Sequence, residues 1–262
     1  MRFHVKTVLA LVVLGSWPEL NSIRRDPARD RLQSRFMRAL KTLAGVGVGY
    51  LLVPVVLAHG ITGTDQAFLL SNVGAQIGPY IYLGAKHMIT GYDHLLFLAG
   101  VIFFLYRLKD VALYVTLFAV GHSVTLLLGV LGGFHVNAYF VDAIIGLSVV
   151  YKAFENLGGF RRLGYEPNMK LAVLFFGFFH GFGLATKLQD LAISEDGLIT
   201  NMLSFNVGVE IGQLLALSVI LIALNLWRAT GQFFRYAYAV NVAIMTAGFV
   251  LMGYQITGYV VA

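Results

Sequence analysis

Six apolar segments, each close to the roughly 20 residues that a helix needs to cross a bilayer, constrain the fold of this chain most strongly. Hydrophobic residues make up 58% of the 262 positions, which is far above the usual content of a soluble domain. The sequence therefore predicts an all-α integral membrane protein, a six-helix transmembrane bundle over residues 80–257. The predicted spans are residues 80–106, 110–131, 136–156, 169–189, 199–227 and 233–257.

Three segments are expected before the bundle. Residues 1–36 include a charged stretch without a hydrophobic period and predict a disordered N-terminal extension. Residues 37–58 have the basic start, apolar centre and small residues of a signal peptide, and an uncleaved anchor is the alternative. Residues 59–79 would then form a periplasmic arm. Cleavage after Ala58 would give His59 a free amine, and a copper or nickel capture site there is a further hypothesis.

Basic residues in alternate gaps between the spans predict the orientation of the bundle. The gaps after the first, third and fifth spans contain Arg107, Lys109, Arg161, Arg162, Lys170, Arg228 and Arg235. The opposite gaps lack these basic residues, and the second of them carries three acidic side chains. By the positive-inside rule the basic loops are cytoplasmic and both mature termini are periplasmic. We therefore expect a multi-pass protein of a bacterial inner membrane.

Composition narrows the functions that the chain can have. The chain has no cysteine, which excludes disulfides, iron–sulfur clusters and thiolate metal sites. The formal net charge is +6, yet no basic patch with interleaved aromatic residues is present, so nucleic acid is not an expected partner. The expected partner is the lipid bilayer. The oligomeric state stays open, a homo-oligomer included.

Ionisable side chains recur at similar depth in the predicted spans. Counting ~1.5 Å per residue from the cytoplasmic helix ends places them about 15–25 Å into the bilayer. Such groups are costly in hydrocarbon, and a cation that accepts imidazole nitrogen and carboxylate oxygen would compensate them. The predicted metal ligands are His87, Asp93, His94, His122, His180 and Glu210, and no catalytic residue is assigned. The groups expected to hold those ligands in orientation are Asp142, Asn206 and Gln213.

Three features of the sequence have simpler explanations. A single histidine inside a membrane is often only a hydrogen-bond donor between helices, which would suit His122 or His180 taken alone. Lys152 and Glu155 are predicted to form a structural pair at the cytoplasmic end of the third span. The G-x-x-x-G pairs Gly129/Gly133, Gly177/Gly181 and Gly208/Gly212 predict close helix packing.

Several motifs resemble those of the HupE/UreJ family of membrane proteins. The first is H-x-x-x-G-x-D-H, here His87, Gly91, Asp93 and His94. Similar blocks follow as F-A-V-G-H-S at 118–123, F-H-G-F-G at 179–183 and F-N-V-G-V-E-I-G-Q at 205–213. The resemblance covers most of residues 78–227. It implies a six-span inner-membrane protein with a cleaved signal that acts in nickel supply through divalent metal permeation.

Two functions fit these residues. The first is a permease for a divalent transition metal, with nickel as the leading substrate and cobalt, zinc, iron or copper as the others. Neutral imidazole would bind such ions, so that binding weakens at acid pH. The alternative is a membrane-embedded metal-dependent hydrolase in which a fixed metal activates water. The chain lacks the H-E-x-x-H and nucleophile-elbow patterns, which favours the permease.

Overall fold

The computed structural model describes residues 73–190 and 194–262, and these residues form helices without a strand. The expected extension, signal peptide and all but the last few residues of the arm lie outside the described residues. In chain order the helices are α1 (Ile77–Thr90), α2 (Tyr92–Ile102), α3 (Leu108–Gly132), α4 (Ala138–Asn156), α5 (Gly159–Arg162), α6 (Met169–Asp190), α7 (Leu198–Arg228) and α8 (Phe233–Val261).

Four of these helices, α3, α6, α7 and α8, are long and apolar enough to cross a membrane. Their bounds lie within four residues of the predicted spans, and α8 extends furthest, to Val261 instead of residue 257. Helix α4 has 19 residues and matches the third predicted span, but it also carries three charged side chains. The membrane character of the chain is therefore clear from its helices.

The first predicted span is not one continuous helix. It begins earlier, at Ile77, inside the segment that the sequence assigns to the arm, and it is divided into α1 and α2 at Gly91. Gly91 serves as the C-cap of α1 and the N-cap of α2 with an extended backbone, φ −73° and ψ 93°. Glycine has little helix propensity, and Asp93 in the next turn stabilises a new helix start.

Glycines bring the helices together in three closely packed pairs: α1 with α7, α3 with α6, and α4 with α8. Between α1 and α7, a Cβ atom on Gly84 would collide with the backbone carbonyl of Phe205. A Cβ atom on Gly208 would collide with the carbonyl of Ile81 in the same way. Small residues thus let the two backbones approach closely, as in other membrane helix pairs.

Glycines also allow α3 and α6 to pack closely. A Cβ atom on Gly177 would lie 2.6 Å from the carbonyl oxygen of Phe118, and one on Gly181 would meet the carbonyl of His122. The predicted packing role is confirmed for Gly177/Gly181 and Gly208/Gly212. It is wrong for Gly133, which ends α3 in a left-handed conformation with φ 65° and has open space around it.

Polar contacts join α4 to α2 and to α8 at the end of the bundle where the basic loops lie. The Asn156 side chain donates to the Gly100 carbonyl at 2.9 Å and to Asn241 Oδ1 at 2.8 Å. The predicted pair of Lys152 and Glu155 is confirmed as an ion pair in α4. The Lys152 stem passes over Gly100 of α2, so this pair also covers the junction of α2 and α4.

Candidate metal site

Three histidines from three different helices meet inside the bundle. His87 of α1, His94 of α2 and His122 of α3 each offer one ring nitrogen, and these three atoms lie within 4.8 Å of one another. The ring centroids of His87 and His94 are 5.2 Å apart, and those of His94 and His122 are 5.7 Å apart. Such spacing suits three imidazoles around one metal ion, because each ring nitrogen binds at about 2.0–2.1 Å.

His94 is held in one tautomer by the residue before it. Its Nδ1–H donates to Asp93 Oδ1 at 2.9 Å, and each side chain is only 1% exposed. A neutral ring that donates from Nδ1 has its lone pair on Nε2. Carboxylates in this position orient metal-binding histidines and make their nitrogen more basic. Asp93 therefore contacts the ring of His94, where the sequence had suggested a direct ligand to the metal.

A fourth histidine, His180 of α6, lies next to this group of three histidines. Its ring centroid lies 4.8 Å from that of His94, and its Nδ1 is 2.7 Å from the carbonyl oxygen of Phe176. Donation to this carbonyl again places the lone pair on Nε2. His180 is 1% exposed but does not belong to the group of three nitrogens within 4.8 Å.

His122 has the most demanding environment of the four. It is 1% exposed, and within residues 73–190 and 194–262 neither of its ring nitrogens has a hydrogen-bond partner. A buried polar group without a partner costs about 1–3 kcal/mol, and nearly all such groups in proteins are satisfied. A metal ion bound by one of these nitrogens would remove that cost at one atom. This unsatisfied imidazole is the structural argument that the donor set fits a metal.

Aromatic rings enclose the histidines. Phe118 lies 4.9 Å from His180 and 6.1 Å from His94, measured between ring centroids. Phe97 lies 5.5 Å from His180, and Phe205 of α7 lies 6.1 Å from His87. His87 is partly exposed whereas the other histidines are buried. The cluster is therefore shielded on most sides and reaches the surface at His87.

The break between α1 and α2 shapes the site. A Cβ atom on Gly91 would lie 2.9 Å from Nδ1 of His94 and 3.3 Å from Oδ1 of Asp93. Any larger side chain would press on the hydrogen bond that orients His94. The N–H of Gly91 still donates to the carbonyl of His87 at 2.8 Å, which ends α1 directly beside the cluster. The local sequence thus brings both histidines of the motif H-x-x-x-G-x-D-H together.

Glu210 does not join the histidines. Its side chain is exposed, and it is not part of the group of nitrogen ligands. In an α-helix it lies about 200° round from both Gly208 and Gly212, which face α1. The sequence predicted that Glu210 lies with the histidines, and the structure places it elsewhere. The helical period alone did not determine which face of α7 packs on α1.

Asn206 and Gln213, on the same helix, are both buried. Asn206 donates to its own helix at Met202, and Gln213 donates to the Val115 carbonyl of α3 at 3.3 Å. Neither contact is with a histidine. Each side-chain oxygen is buried without a partner among the described residues. On α7, Asn206 and Gln213 are thus buried as expected for the bundle interior, whereas Glu210 is exposed.

Asp142 lies in a different cluster from the histidines. Its Oδ2 accepts a hydrogen bond from Lys187 of α6 at 2.7 Å and a longer one from Gln255 of α8 at 3.4 Å. No role was predicted from the sequence for Lys187 or Gln255. The period of α6 would have been a signal, because Lys187 follows His180 by seven residues and shares its face.

Helix packing and the buried histidines define a polytopic membrane protein with a cluster of three histidines that could hold a metal ion. A family model described as HupE / UreJ protein matches residues 63–262. The chain therefore belongs to the HupE/UreJ family, which is linked to metal transport. Comparisons with curated proteins and with solved structures gave no match.

Proposed function

We propose that this protein is an inner-membrane permease for a divalent transition metal, with nickel as its principal substrate. Family membership supports transport, and the histidine cluster supports a metal as the substrate. The observation that carries the proposal is His122, a buried imidazole whose two nitrogens have no partner in the described part of the chain. A metal bound jointly with His87 and His94 gives that imidazole a role.

Each residue of the site has a distinct task in this proposal. His87, His94 and His122 bind the ion, and His180 receives it or completes its coordination from α6. Asp93 holds His94 in its binding tautomer and supplies negative charge beside the metal. Neutral nitrogen donors suit nickel, cobalt, copper and zinc better than magnesium or calcium.

The broken first span supports transport rather than simple storage. The C-terminal end of α1 carries the negative end of its helix dipole, and this end lies at the cluster. Interrupted helices bind ions in many membrane transporters because their backbone groups are available at mid-membrane depth. The ligands also come from helices of different pairs, so a change in the packing of α1 and α2 against α3 would open the site.

We propose six spans, which are α1 with α2, α3, α4, α6, α7 and α8. The basic loops would face the cytoplasm, and both termini of the mature chain would face the periplasm. In this orientation the loops that begin after Gly132 and Asp190 are periplasmic. An ion would enter from that side and leave near the basic loops.

Metal accumulation in cells tests the proposal. His94→Ala and His180→Ala should each abolish nickel accumulation while the protein stays in the membrane at wild-type amount. The control is His135→Ala, because His135 is 56% exposed and lies outside the cluster. Accumulation at wild-type level in both site variants would contradict the proposed route. Loss in the control as well would show that the assay reports expression and not the site.

A further inference from the structure

A second buried cluster of charge lies apart from the histidines, where α4, α6 and α8 meet. The carboxylate of Asp142 pairs with the ammonium of Lys187 at 2.7 Å, and Gln255 donates to the same oxygen at 3.4 Å. The Asp142 side chain is 7% exposed and that of Lys187 is 16% exposed. Burying two charges is expensive, and such pairs are retained where they have a task besides stability.

One oxygen of the Asp142 carboxylate is available to accept a proton. Its second oxygen, Oδ1, is buried and has no hydrogen-bond partner in the described residues. A Cβ atom placed on Gly183 of α6 would lie 3.3 Å from Oδ1, so the glycine leaves space beside it. A proton can bind at Oδ1 without displacing Gln255 from Oδ2.

Among the described residues, Lys187 is the cation that pairs with Asp142. Helix α8 contributes the neutral Gln255, and α4 itself places its other charged pair at the opposite end, near residue 152. Asp190 at the end of α6 pairs at 3.8 Å with His135, which lies in the loop before α4. Each of these two is more than half exposed, so water screens them.

Helix α6 connects this pair to the metal site. His180 and Lys187 are seven residues apart on α6, which places them on one face with a rise of about 10 Å. At that separation inside a bundle, one unit of charge acts appreciably on a divalent ion, because little water screens it.

We propose that Asp142 and Lys187 form a proton-binding site linked to the metal site. A proton from water on the outer side binds the Asp142 carboxylate and ends its ion pair, while Lys187 keeps its own three protons. The uncompensated ammonium then disfavours a divalent metal at the histidines. Linkage is reciprocal, so metal binding releases the proton from Asp142 to water. This inference rests on the proposed function only in requiring that the histidines bind metal.

Calorimetry of nickel binding to the purified protein in detergent tests this linkage in variants that change the charge of Asp142, of Lys187 or of both. Asp142→Asn leaves Lys187 permanently uncompensated and should weaken nickel binding about tenfold at pH 7.5. Lys187→Met removes the cation and should bind at least as tightly as wild type. The double variant Asp142→Asn/Lys187→Met is neutral and should return to within about threefold of wild type, because removing both partners of a buried pair is well tolerated.

Proton release gives a second readout. The double variant should release up to about half a proton fewer per nickel than wild type, the most that a tenfold linkage allows, a difference obtained from titrations over a range of pH in buffers of different ionisation enthalpy. Equal weakening in all three variants would show a purely structural pair and would overturn the inference, as would wild-type affinity throughout the series. If a single variant misfolds, the proton count of the double variant decides alone. A wild-type protein that binds no nickel would overturn the proposed function itself.

Discussion

At the scale of single residues, the proposed metal site contains two different kinds of histidine. His94 is fixed by Asp93 and His180 by a backbone carbonyl, so their tautomers are set before any ion binds. His122 has no such support within the described residues. Because it is the imidazole that gains most from a metal, it is where substitution should have the clearest effect.

His122→Ala should reduce nickel affinity by at least 100-fold, because it removes one of three nitrogen ligands from the site. The same change also removes a buried polar group that lacks a hydrogen-bond partner. The metal-free protein should therefore lose less stability than the full cost of a cavity. Calorimetry and thermal unfolding of the metal-free protein measure the two effects. Unchanged nickel affinity would remove His122 from the site.

Asp93→Asn should weaken nickel binding 10- to 100-fold, the range typical for loss of a carboxylate that orients a histidine ligand. The amide keeps the size of the side chain but loses its charge, so packing is little changed. Titration with nickel gives the affinity, and Asp110→Asn, at an exposed position, is the matched control. An effect above 1,000-fold would indicate that Asp93 binds the metal directly.

The sequence predicted the four histidines of the site, because charged or polar side chains in apolar spans are few and share a depth. It did not separate ligands from the residues that orient them, since Asp93 and His94 are adjacent and either could face the ion. It also could not place Glu210. A polar side chain of a membrane helix can face a neighbour or a gap, and only the packing of α7 on α1 decides between them.

At the scale of helices, the break at Gly91 organises the site. No proline interrupts the first predicted span, so its overall hydropathy predicted one helix. The break lies at Gly91, whose extended backbone ends α1 at the cluster. Helix α2 then starts with Asp93 in its first turn. Other helix bounds were predicted closely, since the change from apolar to charged residues marks them.

Gly91→Ala should weaken nickel binding at least tenfold, because the added methyl would lie 2.9 Å from Nδ1 of His94. Alanine is also about 1 kcal/mol more favourable than glycine in a helix, so the variant would tend to close the break. Gly78→Ala is the control, since a Cβ atom there meets nothing within 4 Å. Wild-type affinity in Gly91→Ala would show that the break is not needed for the site.

Gly208→Ala tests the packing of α1 on α7. The methyl group would collide with the Ile81 carbonyl, and we expect a loss of about 1–3 kcal/mol in stability, the usual cost of overpacking. Thermal unfolding in detergent measures it, with Gly253→Ala of α8 as a control in open space. Equal stability of the two variants would contradict the close packing of this pair.

At the scale of the whole molecule, the arrangement in pairs explains how a buried site can serve transport. Each pair is closed by glycine contacts, whereas the four histidines come from α1 of one pair, from α3 and α6 of another, and from α2, which belongs to none of the pairs. Movement of one pair against another would change the metal coordination without breaking the contacts inside a pair. The sequence predicted the spans but not this pairing, which depends on which glycine faces which backbone.

Nickel entry into liposomes tests the central claim most directly. Purified protein is reconstituted, radiolabelled nickel is added outside, and the ions retained are counted per protein molecule over time, with cobalt and zinc in parallel. A permease should accumulate many nickel ions per molecule, and His122→Ala should stop this accumulation. Saturation near one or two ions per molecule would contradict transport and indicate a fixed metal, as in a membrane-embedded metal enzyme.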